Sequence, residues 1–239
     1  MSRPSFCQIH LIITMQRVYF IILIFTITVA SRAQDKFTGY YEPYVQLEYA
    51  VTETYSQEYT IESRTFWYDE EDFEVKVKQL DLAHFSSFTL NDKNALALGV
   101  QYRFEENFGG DGENELRLTE EYTYTTRPNA TEFKHRIRAE QRIAASSTSH
   151  RFRYNFAIAR PFIGKEVDTG EAYFLGNLET LLTVANATGP DYEQRIGAGI
   201  GWSLTDSAEL EIVAEYRLSD FTRDLGHELF FVTGLNFDL

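Results

Sequence analysis

The sequence predicts an all-β chain, an antiparallel transmembrane up-and-down β-barrel of 10 to 12 strands, and three observations carry that prediction. Apolar and polar residues alternate with period two in segment after segment, as they do in strands with two chemically different faces. Turn-like clusters of Gly, Asn, Asp, Ser and Pro separate these segments at 91–94, 108–113, 127–132, 146–149, 186–191, 205–207 and 220–226. The polar faces carry arginine and glutamate together, and the chain ends in ELFFVTGLNFDL, where Leu229, Phe231, Leu235, Phe237 and Leu239 share one face.

Residues 1–33 hold three Arg, no acid, the apolar run VYFIILIFTITVA and then Ser31 and Ala33. A cationic start, a short apolar core and small residues before the cut predict a secretory signal peptide cleaved after Ala33, with Met15 as the expected true start. A membrane-spanning helix needs roughly 20 apolar residues, more than this run offers. The sole cysteine, Cys7, precedes the run, so residues 34–239, expected as one domain, hold neither a disulfide framework nor a thiolate metal site. They keep 19 basic against 36 acidic residues. That balance argues against nucleic-acid binding by charge.

Strands are expected at 40–51, 57–67, 73–90, 95–106, 114–126, 133–145, 150–160, 171–185, 192–204, 208–219 and 228–239. The first two bring Tyr41 and Trp67 to strand ends and put Glu62 and Arg64 on a polar face. The third is the least regular: its apolar phase slips between Val77 and Leu80, as a bulge or an extra turn would cause. Single-chain bacterial barrels use even strand numbers, so eleven segments point to ten or twelve strands. In 95–106, Leu96, Leu98, Val100, Tyr102 and Phe104 oppose Ala95, Ala97, Gly99, Gln101, Arg103 and Glu105 without a miss. Segment 114–126 carries Glu115, Arg117 and Glu121, with Tyr122 and Tyr124 near its end. The cationic stretch FKHRIRAEQRIA, 133–144, resolves by the same test: Lys134, Arg136, Arg138, Glu140 and Arg142 share one face, whereas a helix would scatter them. In 150–160, Phe152, Tyr154, Phe156 and Ile158 oppose Arg151, Arg153 and Asn155. In 192–204, Tyr192, Ile196, Ala198, Ile200, Trp202 and Leu204 oppose Glu193, Arg195, three glycines and Ser203. In 208–219, Leu210, Ile212, Ala214, Tyr216 and Leu218 oppose Glu209, Glu211, Glu215 and Arg217.

Periodicity alone does not say which face is inside. A soluble ligand-binding barrel keeps its apolar face inward, and a membrane barrel reverses this. Mixed charges on the polar face, aromatic residues near strand ends and the terminal strand favour the reversed arrangement. On that reading Arg103, Glu105, Glu115, Arg117, Arg136, Arg138, Glu140, Arg142, Arg153, Glu193, Arg195, Glu215 and Arg217 form a charge network across the lumen. The last strand is similar to the C-terminal strand by which outer-membrane barrels are recognised by their assembly machinery. Leu239 stands where a terminal Phe or Trp is usual, with Phe237 in phase.

ELR at 115–117, HRIRAEQR at 135–142, RFRY at 151–154 and YEQRIGAGIGW at 192–202 resemble the motifs of an uncharacterised family of outer-membrane barrels from Gram-negative bacteria, a domain-of-unknown-function family. The resemblance runs from about Tyr59 to Leu239. It implies a barrel fold in the cell outer membrane, in contact with its lipid. It supplies no catalytic residue, substrate or further partner.

No catalytic residue, cofactor or metal site is expected. The sequence lacks G-x-S-x-G, H-E-x-x-H, C-x-x-C and P-loop patterns. Of His84, His135, His150 and His227, His135 falls within the apolar phase of its strand, the place for a residue of a lipid-modifying enzyme if the barrel were one. Asp69-Glu70-Glu71-Asp72 lacks EF-hand spacing and reads as a solvated loop. Gly197, Gly199 and Gly201 alternate along one strand, where they make room for bulky lumen neighbours or let the strand curve. The role expected is structural or transport-related and porin-like. The alternatives are a narrow solute channel and an enzyme acting on outer-membrane lipid; the sequence leaves the oligomeric state open.

Overall fold

The computed structural model describes residues 37–69, 72–108, 112–186, 188–221 and 225–239; the signal peptide expected over 1–33 lies outside these residues. The strands are β1 (Phe37–Thr52), β2 (Tyr55–Asp69), β3 (Lys76–Asn91), β4 (Asn94–Phe104), β5 (Glu115–Thr126), β6 (Glu132–Ala144), β7 (Thr148–Pro161), β8 (Ala172–Ala185), β9 (Thr188–Thr205), β10 (Ala208–Ser219) and β11 (Gly226–Asp238). Each pairs with its neighbours in sequence, and β1 closes onto β11 to complete a barrel. Among the described residues the only helix is a short 3₁₀ turn at Glu106–Phe108.

The fold class is the expected one, and the strand number is eleven, the direct count of segments. Strands that alternate in direction leave the first and last of an odd set parallel. β1 and β11 accordingly pair in parallel, from Phe37↔His227 to Glu48↔Asp238. The even-number rule fails because this seam supplies the closing ladder. The irregular third segment is one strand with a bulge: its pairing with β2 jumps from Arg64↔Gln79 to Thr65↔Val77, which leaves Lys78 unmatched.

One rim carries the connections 53–54, 92–93, 127–131, 162–171 and 206–207 and the end of β11; we call it the upper rim. The lower rim carries the start of β1 and the connections 70–75, 105–114, 145–147, 186–187 and 220–225. At the lower rim the Asn114 side chain accepts from the Glu105 backbone N–H at 2.9 Å. The Glu113 carboxylate accepts from the Ser146 backbone N–H and hydroxyl at 2.9 and 2.8 Å. These bonds hold the Glu113 carboxyl below the usual carboxylate range and dock one loop on the next.

The two faces are inverted relative to a soluble protein. Ile137 is 57% exposed on the outside of β6, while Glu140 of the same strand is 3% exposed inside. Ile61, Leu98, Phe152, Leu178, Ile196, Ile212 and Phe231 continue the exposed apolar face around the barrel. Flat rings fill the interior where a facing glycine lets them lie against the wall. A Cβ on Gly201 would stand 2.2 Å from the Tyr173 ring, and one on Gly234 would stand 2.1 Å from that of Tyr44. Gly197 leaves room for Asn177, and Gly199 for the β10 backbone at Ile212. The alternating glycines thus make room for their inward neighbours.

Candidate functional site: a charged lumen with one open cavity

Period two places the arginines of β5 to β10 on the inward face, and hydrogen-bonded register sets which carboxylate each one meets. The largest connected group crosses five strands. Arg138 donates to Glu121 at 2.5 and 2.8 Å and lies 3.6 Å from Glu140. Arg153 joins Glu140 at 3.0 Å to Glu179, which it grips through Nε and Nη2 at 3.1, 2.9 and 2.8 Å. Arg195 reaches Glu179 at 3.5 Å and Glu193 at 2.6 Å. Fork-shaped guanidinium contacts of this kind fix both partners in orientation as well as distance.

A second group spans the seam. Arg64 donates to Glu42 at 2.5 Å, and Arg217 joins Glu42 at 3.3 Å to Glu215 at 2.7 Å. To cross β11, Arg217 passes over Phe230, its Cζ 3.4 Å from the ring centroid, while Arg64 lies 4.9 Å from the same ring. Tyr40 stacks on Phe230 at 4.6 Å, and Phe230 is 0% exposed although it points into the lumen. A side chain can be fully buried inside a barrel only where the lumen is filled at its level. Cation–π contact and stacking therefore form a plug towards the lower rim. Phe230→Ala is expected to cost about 3–5 kcal/mol, as large-to-small changes in packed sites do, and to lower the thermal unfolding midpoint of the purified protein; an unchanged midpoint would remove the plug from the account.

Two smaller groups complete the network. Glu115 pairs with Arg117 and, at 2.9 Å, with Arg142. Arg103 takes Asp81 in a two-pronged grip at 2.8 and 2.7 Å, and Gln79 donates to the same carboxylate at 2.9 Å. Twelve of the thirteen sequence-derived network residues are thus brought into ion pairs. Arg136 is the loosest of them, with its nearest carboxylate oxygens, on Glu121 and Glu179, at 3.9 and 4.0 Å. Glu105 is the exception: it follows the end of β4 and has no ion pair among the described residues.

The sequence-derived network omitted Arg64, and also Glu42, Asp81, Glu121 and Glu179, which supply much of the negative charge that holds the arginines. Glu179 is masked because β8 is apolar on both faces, with Leu181 buried inside and Leu178 exposed outside. Asp81 follows the bulge that breaks the phase of β3. The phase of β2 did mark Glu62 and Arg64 as polar-face residues, and that of β5 marked Glu121. The cation-bearing Phe230 left no sequence signal, since aromatic rings on either face look alike.

Above the network lies a cavity of about 940 Å³. Its lining includes Arg127, Lys165 and Glu166 from the upper-rim connections and Glu132 at the start of β6, and it reaches down to Arg64, Arg103, Arg117 and Arg217. The cavity therefore opens upward and ends on the ladder. Tyr173 donates to Glu209 at 2.7 Å and Tyr44 to Glu211 at 2.8 Å on its wall. No group of His, Cys, Asp and Glu among the described residues has a metal-holding arrangement.

On the outside, His135 shares a 2.9 Å hydrogen bond with the Tyr154 hydroxyl and packs on Phe156 with ring centroids 5.0 Å apart. His227 is bonded to the Tyr216 hydroxyl and His84 stacks on Tyr59. These contacts bring neither a serine nor a carboxylate to His135.

A family model described as "Protein of unknown function (DUF2490)" matches residues 37–224. The chain belongs to the DUF2490 family. The match begins at the first residue of β1, earlier than the resemblance noted from Tyr59, and stops before β11. Every ion pair described above, from Glu42 to Arg217, lies within the DUF2490 region. No curated protein and no solved structure matches the chain.

Proposed function

We propose that this DUF2490 protein is an outer-membrane β-barrel of a Gram-negative cell, exported by the signal peptide at 1–33, with a structural or transport-related role rather than a catalytic one. The observation that carries the reading is the continuous apolar belt outside a charged interior. Leu98 and Ile196 are both 59% exposed and Ile61 is 56% exposed, on three well-separated strands. Soluble monomers rarely leave contiguous apolar patches larger than a few hundred Å² in water. A protein partner would cover one side of such a belt, whereas lipid surrounds it. Trp67 and Tyr192 towards the lower rim and Tyr122, Tyr124 and Trp202 towards the upper rim supply aromatic residues for both interfaces.

The buried Phe230 level favours a barrel closed at one end over a continuous channel. The odd strand number departs from the even-numbered rule of single-chain bacterial barrels, and the parallel seam, twelve residue pairs long, accounts for its closure. The C-terminal strand β11 would be the segment read by the barrel-assembly machinery.

Membrane fractionation with a heat-modifiable gel shift tests the location: the protein should sediment with outer membranes and migrate faster unheated. Recovery as a soluble periplasmic monomer would overturn it. In planar bilayers the purified protein should give no stable single-channel steps; regular steps would replace the closed barrel with the narrow solute channel. The lipid-modifying alternative predicts phospholipid or lipid A hydrolysis that His135→Ala removes.

A further inference from the structure

On the strands that line it, the cavity sorts its unspent charges onto opposite walls. On β6 and β7, Arg151 has the Thr183 hydroxyl as a hydrogen-bond partner at 2.9 Å and no carboxylate within ion-pair distance among the described residues. Nearer the upper rim, level with Asn155 rather than with Arg151, Arg136 is held only at 3.9 and 4.0 Å. Lys134 is held at 3.9 Å. All three line the cavity. On the far side, Glu62 of β2 and Glu209 and Glu211 of β10 line the same cavity. None of these acids has an ion pair among the described residues; Glu209 and Glu211 accept only from tyrosine hydroxyls. β10 is four strands from β6 in one direction, three from β7, and β2 is four strands from β6 in the other. The two sets of charge therefore face each other rather than cancel.

Between them runs an apolar strip. Leu175 of β8 pairs directly with Gly199 of β9, Gly199 with Val213 of β10, and Val213 with Val232 of β11. Leu175, Val213 and Val232 all line the cavity. Ala157, Ala159, Pro161 and Val167 also line the cavity, and this row is the one that crosses from the cationic side to the acidic side.

We infer that the cavity binds a short apolar peptide as a zwitterion, its carboxylate on Lys134 and Arg136, neighbours on the inward face of β6, its ammonium on Glu209 and Glu211, and its side chains along the Leu175–Val232 strip. Eleven strands about 4.8 Å apart and tilted by about 40° give a backbone diameter of about 22 Å, which side chains from both walls narrow. A tripeptide at about 3.5 Å per residue spans about 10 Å between its charged ends, which suits the narrowed width better than a single amino acid does. Each end would meet charge-assisted hydrogen bonds in a site shielded from bulk water. The inference rests on the barrel being a solute compartment, and it names that solute.

Titration calorimetry of the purified full barrel in detergent micelles tests it with trialanine, N-acetyl-trialanine and trialanine amide. Trialanine should bind, and blocking either end should weaken binding by about tenfold or more. Combining Glu209→Gln with Glu211→Gln should abolish the penalty for acetylation and leave that for amidation; Lys134→Gln with Arg136→Gln should do the reverse. Heat-modifiable mobility shows that each variant is folded. Failure of trialanine to bind, or equal binding of the acetylated peptide by the unaltered protein, overturns the inference. The titration needs neither a membrane nor conduction, so its failure is distinct from that of the outer-membrane reading, which fractionation decides.

Discussion

Ile137→Arg should destabilise the barrel by about 2–4 kcal/mol in phospholipid vesicles, the cost that an arginine meets near the bilayer midplane on the outer face of a barrel placed in the membrane as proposed. Ile137 lies near the middle of β6 and is 57% exposed on the outer face. One position earlier, Arg136 faces the lumen and the carboxylates of Glu121 and Glu179. In the membrane placement proposed above the two neighbours meet opposite media, and the same residue type is a penalty at one and a component of the network at the other. Equilibrium urea unfolding in vesicles measures the cost. In detergent-free buffer without lipid the substitution should instead improve solubility. A change within about 0.5 kcal/mol in vesicles, the size usual for uneventful surface positions, would show that the belt around Ile137 meets water.

Glu179→Leu should cost about 3–5 kcal/mol, because removing one partner of a buried pair leaves charge without compensation. Glu179 is 4% exposed and serves three arginines: Arg153 at 2.8 Å, Arg195 at 3.5 Å and Arg136 at 4.0 Å. Arg195 keeps Glu193 and Arg153 keeps Glu140, so the loss is partial rather than total. Adding Arg153→Met should recover much of it, since replacing both members of a buried ion pair by apolar groups is often neutral. The unfolding midpoints of the two single variants and the double variant in vesicles test this as a cycle. Simple addition of the two single losses would mean that Glu179 and Arg153 do not depend on each other.

The first prediction rests on the two faces of β6, which were legible in the sequence, and the second on β8, where they were not. The alternation in 95–106 and 133–145 named the strands within two residues at either end, because a one-residue slip would exchange every side chain between the two faces. It also identified which arginines share a face. Where the alternation failed, so did the reading. At β3 the bulge at Lys78 shifted the phase and hid Asp81. At β8 apolar residues on both faces hid Glu179.

What the amino-acid order determined is the strand and its two faces, since period two is a property of a single extended chain. Three matters were left to the closed barrel. The inward direction of the charged face follows from which side of the sheet the curvature encloses, and a flat strand has no such side. The odd strand number depends on whether the first and last strands meet, as β1 and β11 do in parallel, although 189 residues or more separate partners in sequence. The sorting of acids and unpaired cations onto facing walls depends on strands that share no hydrogen bond. Their proximity arises only when the ring closes and brings distant segments around one cavity.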